Sequence, residues 1–393
     1  MTRFFSYTLT TLLLLGLISC NFSANDGFAK YRTFLKEELK NLDTLCIDNT
    51  QETTIIKFSD ALEEPEMSLD IEFIKLETHP DGLIGYVGKI MHDDDKFFIC
   101  DNINHSLFIF SEDGRFIHRI HNVGNGPGEY NKLTDFTLDK KSKRIVLYDA
   151  QKKRYYYHKY DGSFIESKTF GFWFREFCIT PSGNYLLFTN NGNGTGFRLF
   201  ETDSTGINII RKAILSDQYY KMNAYATPHL DAFNDEILIS FPFLYDIYSL
   251  KNDSLYCKYK LDLEGKDYTY DWVEPKGYNE YMDLFRNSNK EFDYGGSCIE
   301  NNQFALFFLH TKEVGESQVL ALNKSTNSVH KTRLTIPHSN LFLYPVTSIS
   351  NRFVAAVLPH DLIEHGIHEN YNEIRNIQES DNPCLVLFSI KTH

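Results

Sequence analysis

A stretch of this chain repeats at a fixed distance without a gap, and that repeat limits the folds open to it. Phe97-Phe98-Ile99-Cys100-Asp101, Leu107-Phe108-Ile109-Phe110, Asp113-Gly114 and Phe116-Ile117 recur 48 residues later as Ile145-Val146-Leu147-Tyr148-Asp149, Tyr155-Tyr156-Tyr157-His158, Asp161-Gly162 and Phe164-Ile165. Each unit reads as strand, loop, strand, tight Asp-Gly turn, strand, because runs of β-branched and aromatic residues are bounded by turn formers. Another candidate strand precedes each unit, at 88–91 and 135–138. Four antiparallel strands repeated at this spacing make a propeller blade. One such unit cannot bury its apolar faces alone, so further units must follow.

They follow with looser spacing. A third unit runs 174–180, 185–189, 197–201 and 207–214, and a fourth contains 236–241, 245–250 and 255–261. A fifth contains 297–300, 304–310, 317–322 and 328–334; a sixth has 345–349, 353–358 and 385–390 but no outer strand. The early strand 71–76 has no unit of its own and is assigned to the sixth. The expected fold is therefore all-β, a six-bladed β-propeller of four-stranded antiparallel blades over residues 53–393, its ring closed by an N-terminal strand. A β-sandwich or a lipocalin-like barrel fits the composition but not the repeat. Most of the 32 Phe and 24 Tyr are read as blade packing. A net charge of −13, from 53 acidic against 40 basic residues, supplies no field to collect phosphates and argues against nucleic acid.

The N-terminus carries an address. Arg3 precedes an apolar run at 8–18, too short to span a bilayer as a mature helix. The run ends in Leu17-Ile18-Ser19-Cys20, which resembles the lipobox of bacterial lipoproteins. On that resemblance residues 1–19 are a signal peptide, Cys20 is the lipidated N-terminus, and the acyl chains anchor the protein to a membrane, each buried methylene contributing about 0.8 kcal/mol. Residues 20–52 are read as a lipidated tether with a short helix near 31–42, on the spacing of Phe34, Leu35, Leu39 and Leu42. Cys46, Cys100, Cys178, Cys257, Cys298 and Cys384 form no C-x-x-C pair and are read as free structural thiols, although an even count leaves disulfides open.

The chain resembles the six-bladed β-propeller lipoproteins of Bacteroidetes, whose blades are similar to the NHL repeat. Four segments carry the resemblance: Ile74-Lys75-Leu76-Glu77-Thr78 with Leu83-Ile84-Gly85; 110–116 with Asp113-Gly114; the loop Gly124-Asn125-Gly126-Pro127-Gly128-Glu129-Tyr130; and Asp381-Asn382-Pro383-Cys384-Leu385-Val386-Leu387. The resemblance implies an exported, membrane-anchored propeller and no particular reaction. Asn21 to Asp26 lack the acidic cluster that resembles a surface-export signal in such lipoproteins, which places the protein in the cell envelope on the periplasmic side of the outer membrane. Asp43-Thr44-Leu45, Asp203-Ser204-Thr205 and Asp253-Ser254-Leu255 resemble an O-glycosylation acceptor found there.

Other motifs have plainer readings. The Gly124 to Tyr130 loop lacks the Gly-Lys-Ser/Thr of a P-loop and leads to a strand, so no nucleotide is expected; Pro127 and Gly128 suit a type II turn. Glu129 and Tyr130 on this blade-to-blade crossing share a face of the disc with Asp101 and Asp149, which start the loops between strands two and three. These four are the candidate ligand-binding residues, and the two aspartates also suit Asx turns. His360, Glu364, His365, His368 and Glu369 are the densest set of metal-ligand types, but Gly366 interrupts their helix and the reading is a solvated excursion. Asp93-Asp94-Asp95 after His92 reads as a charged turn rather than a calcium loop. Tyr155-Tyr156-Tyr157 must send rings to both faces of its strand, and Asn191 to Gly196 reads as a hairpin tip.

The functional expectation is a lipid-anchored binding or interaction scaffold for a glycan, a peptide or a partner protein, with no catalytic residue and no cofactor assigned. The alternative is a metal-dependent lyase or hydrolase using Ca or Zn in the central channel.

Overall fold

Phe97, Phe98, Ile99 and Cys100 lie consecutively on one strand, so a pleated sheet must send two to each face. A ring of sheets makes both faces interior. Phe98 and Cys100 pack toward the next blade with Phe136, Leu147 and Tyr156, while Phe97 and Ile99 pack toward the last blade with Val354, Leu385 and Leu387. The computed structural model describes residues 39, 41–189, 195–215, 229–268, 278–313 and 317–391. The signal peptide, Cys20, most of the 31–42 helix and the 191–194 tip lie outside them.

Six sheets form the ring. Blade 1 comprises Lys89–Asp93, Lys96–Asp101, Ser106–Ser111 and Phe116–Ile120; blade 2 comprises Asp135–Asp139, Arg144–Asp149, Arg154–Lys159 and Phe164–Thr169. Blade 3 comprises Glu176–Ile179, Tyr185–Phe188, Phe197–Thr202 and Ile209–Leu215; blade 4, Leu230–Phe233, Glu236–Phe241, Leu244–Lys251 and Ser254–Asp262. Blade 5 comprises Asp293–Glu300, Phe304–His310, Ser317–Asn323 and Ser328–Arg333. Blade 6 has three local strands, Pro345–Ile349, Arg352–Val357 and Cys384–Ile390, and Leu69–Lys75 pairs antiparallel with the last of them, as the missing outer strand required. Within each blade the first strand is innermost and neighbours the first strands of adjacent blades.

The 48-residue repeat extends to backbone detail. A register shift falls between Ile109 and Phe110 and again between Tyr157 and His158. Left-handed backbone recurs at His105 (φ 53°) and Lys153 (φ 49°), and at Gly114 (φ 85°) and Gly162 (φ 86°). Tyr156 packs toward blade 1, and Tyr155 and Tyr157 pack toward blade 3 with Tyr148, Phe170, Phe174 and Phe177. No ring of the triplet is exposed.

The N-terminal segment does more than close the ring. Asp43–Thr44 adds a parallel fifth strand to the outer edge of blade 3, Thr54–Lys57 to blade 4 and Leu62–Glu66 to blade 5. The chain from 43 to 75 thus straps blades 3 to 6, and Leu39 is buried beside Phe170 and Phe172. Part of the stretch read as tether is in this way built into the propeller. Among the described residues, blades 1 and 2 keep four strands and no segment pairs with their outer edges.

Three of the four family-like segments meet at the seam between blades 6 and 1. Asn382 is buried; its Oδ1 accepts the Ile84 N–H at 2.9 Å while its Nδ2 donates to the carbonyls of Glu77 at 2.8 Å and Gly82 at 2.7 Å. Lys75 pairs with Asp381 at 2.6 Å. Gly114 receives the Glu77 N–H at 2.8 Å, and a Cβ there would lie 2.4 Å from the Lys75 carbonyl oxygen, so a side chain is excluded by contact as well as by φ. No helix among the described residues is long and apolar enough to cross a membrane.

Candidate functional site

The innermost strand of each blade is a sheet edge, so its outward N–H groups lack a ladder partner. Buried carboxylates meet this need across blades. Asp135 of blade 2 accepts the Phe177 N–H of blade 3 at 2.9 Å. Glu176 of blade 3 accepts the N–H of His229, just before blade 4, at 3.0 Å, and Asp231 of blade 4 accepts the Glu300 N–H of blade 5. Lys89 of blade 1 closes on blade 2, donating to Asp135 at 2.9 Å and to the Phe136 carbonyl at 2.8 Å. The result is a belt of charge at the starts of the inner strands, toward the face where the outer-to-inner crossings emerge.

The belt members differ electrostatically. Burial pushes Asp135 up to about 6 even with Lys89 beside it. Burial pulls Glu176 the same way, but the His229 ring at 2.7 Å and the nearby Arg175 hold it down at about 2. Asp231 is raised to about 7, first by burial and then by repulsion from Glu300, and its Oδ2 has no hydrogen-bond partner. Glu300 itself is held low, against burial, by Lys258 at 2.7 Å and Lys324 at 2.8 Å.

Two recesses flank the belt. On the face where the outer-to-inner crossings emerge, a cavity of about 180 Å³ is lined by Asn102, Lys132, Thr134 and Arg175 above Lys89, Asp135 and Glu176. On the opposite face, formed by the tight hairpins, a funnel of about 990 Å³ opens on the axis with contributions from five blades. Its wall mixes Asp93, Asp139 and Asp235 with Lys140, Lys141 and Arg144, and its floor includes Met91, Cys178 and Ala232. Ala232 is exposed there although it sits on an inner strand. Burial pushes the Cys178 thiol up to about 12, leaving it a small hydrophobe rather than a nucleophile. The six cysteines named above are free.

The structure places Asp101, Glu129, Tyr130 and Asp149 on the crossing face, as their loops implied, with their polar atoms turned inward. Asp101 Oδ2 accepts the N–H groups of Gly85 and Tyr86, both at 3.0 Å, and Oδ1 that of Asn104 at 2.8 Å. Asp149 repeats the clamp one blade on, taking Asn131 at 2.6 Å on Oδ2 and Gln151 at 2.8 Å on Oδ1. Glu129 folds back on the Gly126 N–H at 2.6 Å, and the buried Tyr130 hydroxyl donates to the His105 carbonyl at 2.8 Å. Gly128 has the positive φ, 80°, that a type II turn needs.

The excursion in blade 6 is not a solvated hairpin. A short helix, Pro359–Glu364, and two 3-10 turns bury Leu362, Ile367 and Ile374 in the core of blades 5 and 6, because apolar residues alternate with the charged ones read as ligands. Gly366 (φ 65°) ends the helix, His365 bonds the Asp361 carbonyl, and His360 lies near Glu364 and Glu379. Among the described residues no three His, Cys, Asp or Glu side chains group as a metal site. The belt residues Lys89, Asp135, Glu176, His229 and Asp231 were missed in the sequence, where their only signal is a charged residue beside the apolar start of an inner strand.

A β-propeller with a charged belt across its channel and an open funnel on one face is the class of protein this geometry defines. The chain belongs to the family described as Domain of unknown function (DUF4934), whose model matches residues 44–389. Among solved structures it is similar to a "Putative exported protein" from Bacteroides fragilis NCTC 9343, with 20% identity over 86% of this chain and 100% of that one and a TM-score of 0.73. It is also similar to a member of the DUF4221 family from Bacteroides vulgatus, with 12% identity over 84% of this chain and 100% of that one and a TM-score of 0.50. At these identities the likeness concerns the fold. A search among curated proteins finds no match.

Proposed function

We propose that this protein is an exported, lipid-anchored propeller of the cell envelope that binds a polar, hydroxyl-rich ligand, a glycan, in the funnel on its hairpin face. Export and anchoring are supported by the apolar run ending at Cys20 and by the name of the B. fragilis structure. The periplasmic face of the outer membrane is part of this proposal and is supported by residues 21–26, which carry no acidic cluster of the surface-export kind. The observation that carries the ligand reading is the funnel itself: about 990 Å³ of polar space on the axis, within the range of small-molecule sites. Asp93, Asp94, Asp95, Asp139, Asp235 and Glu236 line it with Lys140, Lys141 and Arg144, so it presents many acceptors and some donors with an acidic excess, which suits hydroxyl groups better than phosphate or an acyl chain.

The test is a thermal-shift and calorimetric screen of oligosaccharides against the mature chain and Ala232→Trp, which fills the funnel floor from an exposed position. A glycan that raises Tm of the mature protein and fails to bind Ala232→Trp of unchanged Tm supports the reading. Equal binding to both proteins would place the ligand elsewhere. Turnover of the sugar, or a metal requirement for binding, would favour the enzyme alternative.

A further inference from the structure

Large apolar side chains reach solvent unequally at the two ends of the disc. Leu83, Tyr86, Ile103 and Val123 stand exposed in the crossing-face segments around blade 1, Ile103 at 64%, whereas among the described residues Ile207 is the only such side chain in a hairpin-face turn. Hydrogen bonds lace these segments together. Asp101 takes the N–H groups of Tyr86 and Asn104, the Tyr130 hydroxyl donates to the His105 carbonyl, and Val123 forms a bridge with Tyr130. The four side chains therefore stand on one connected platform, which marks an interaction surface more than single exposed residues do.

The platform does not share the acidity of the chain. Residues 102–105, 121–134, 150–153 and 170–175 on this face hold Lys132, Lys152, Lys153 and Arg175 against Glu129, and 76–88 adds Glu77 and Asp81. Leaving aside the buried Asp101 and Asp149, acids do not outnumber bases here, on a chain of net charge −13. The blade 6 excursion, with Asp361, Glu364, Glu369, Glu373 and Glu379, is acidic and bounds the platform on one side. On the other side Trp173 stands partly exposed in the crossing from blade 2 to blade 3. The described chain begins at that same crossing: Leu39 packs with Phe170 and Phe172, and its carbonyl accepts Lys212 Nζ at 2.8 Å. Residues 20–38 connect this point to Cys20, a span of at most about 65 Å.

We propose that the crossing face of blades 1 and 2 rests on the bilayer to which Cys20 is anchored, with Leu83, Tyr86, Ile103 and Val123 in the headgroup region and Trp173 at the margin of the contact, so that the funnel opens away from the membrane. The set suits that depth: the aliphatic side chains leave water, Tyr and Trp keep their polar tips at headgroup level, and the lysines meet lipid phosphates. The contact itself need only be weak, because the tether holds the face near the surface at high local concentration. The inference rests on the anchored reading of Cys20 given above; it does not require the glycan.

The experiment replaces the acyl chains by a hexahistidine ahead of residue 21 and holds the chain on vesicles of phosphatidylethanolamine and phosphatidylglycerol that contain a nickel-chelating lipid. Hydrogen exchange is expected to slow at the amides of 83–86, 102–105 and 121–124 relative to the protein free in solution, and to stay unchanged at the hairpin turns 94–95 and 161–163. Without the tag, the chain is expected to partition onto the same vesicles at millimolar lipid, Ile103→Glu/Val123→Glu to lower that partition at least about tenfold at unchanged Tm, and Ile103→Trp to raise it. The proposal is overturned by no slowing on vesicles, by slowing at the hairpin turns instead, or by equal partition of parent, double variant and Ile103→Trp. It is equally overturned by slowing that follows protein concentration rather than vesicles, which would assign the face to a second copy. Mass spectrometry of the native N-terminus separates the two readings: acylated Cys20 without docking removes this inference alone, whereas docking of the tagged chain beside an acyl-free Cys20 supports the face and removes the anchor.

Discussion

Asp231 occupies an inner strand with one carboxylate oxygen on the Glu300 N–H and the other without a partner, near Glu300, Lys258 and Lys324. Its pKa rises on folding from 3.8 to about 7, so between those values the native state binds more protons than the unfolded chain. Stability from this group is then greatest below about pH 4, falls as pH climbs through the window, and is lowest above 7, with a ceiling near ~4 kcal/mol. Asp231→Asn keeps an acceptor for Glu300 and removes the charge; it is expected to raise Tm at pH 8 and to leave it nearly unchanged at pH 4. A Tm gain that is the same at both pH values would show that the charge is not what destabilises the site. Glu176, lowered to about 2, acts in the opposite sense: its contribution is present above about pH 4.5 and is lost as pH falls toward 2. Asp149→Ala removes the acceptor of four N–H groups, at Asn131, Lys132, Gln151 and Lys152. It is expected to cost about 3 kcal/mol in urea unfolding. The turn role of Asp101 and Asp149 was legible because their partners lie mostly within the same repeat. The belt was not, because Asp135, Glu176 and Asp231 serve backbone donors roughly 40–70 residues away, across a blade boundary.

Among the elements, the first three strands of blades 1 and 2 were readable to within a residue or two, since the middle strands are apolar on both faces and the last turn of each blade carries Asp-Gly, whereas the half-exposed outer strands were read only at their first two residues. The strap was read only at its last strand, 71–76. Asp43–Thr44 has two residues, Thr54–Lys57 alternates an exposed Ile55 with a buried Ile56, and Leu62–Glu66 contains Pro65, which argues against a central strand but is tolerated on an edge. No hairpin signal joins them, because parallel addition to a distant blade needs none. Ile56 is fully buried against Leu261, Leu263 and Phe292, so the strap is a packed element rather than a loose cover. Ile56→Ala is expected to cost about 2–4 kcal/mol, whereas Ile55→Ala, at an exposed position on the same strand, is expected to cost under about 0.5 kcal/mol. Equal effects in denaturant unfolding would mean that the strap does not hold this register in solution.

For the whole molecule, the order of the chain makes one seam special. Blades 1 to 5 each draw their four antiparallel strands from a continuous stretch, while blade 6 draws its outer strand from residues 69–75 and its third from 384–390, so the ring closes by joining the two ends of the domain. Closure is held by seven paired residues along those strands and by Asn382, whose three hydrogen bonds reach from the C-terminal strand to the chain leading into blade 1. Asn382→Asp keeps the shape of the side chain and turns two donors into a carboxylate oxygen facing the carbonyls of Glu77 and Gly82. A buried charge with that environment is expected to cost about 3 kcal/mol or more. Because every blade packs on two neighbours, an opened seam exposes the faces of blades 6 and 1, including Phe97, Val354 and Leu387, and should weaken the whole ring. The variant is expected to show a lower Tm in one cooperative transition, and in native-state hydrogen exchange the amides of 69–75 and 384–390 should become the first to open. If they instead remain as protected as those of blade 3 while Tm falls, opening at this seam is not how the propeller comes apart, and the latch at Asn382 stabilises the closed ring without gating it.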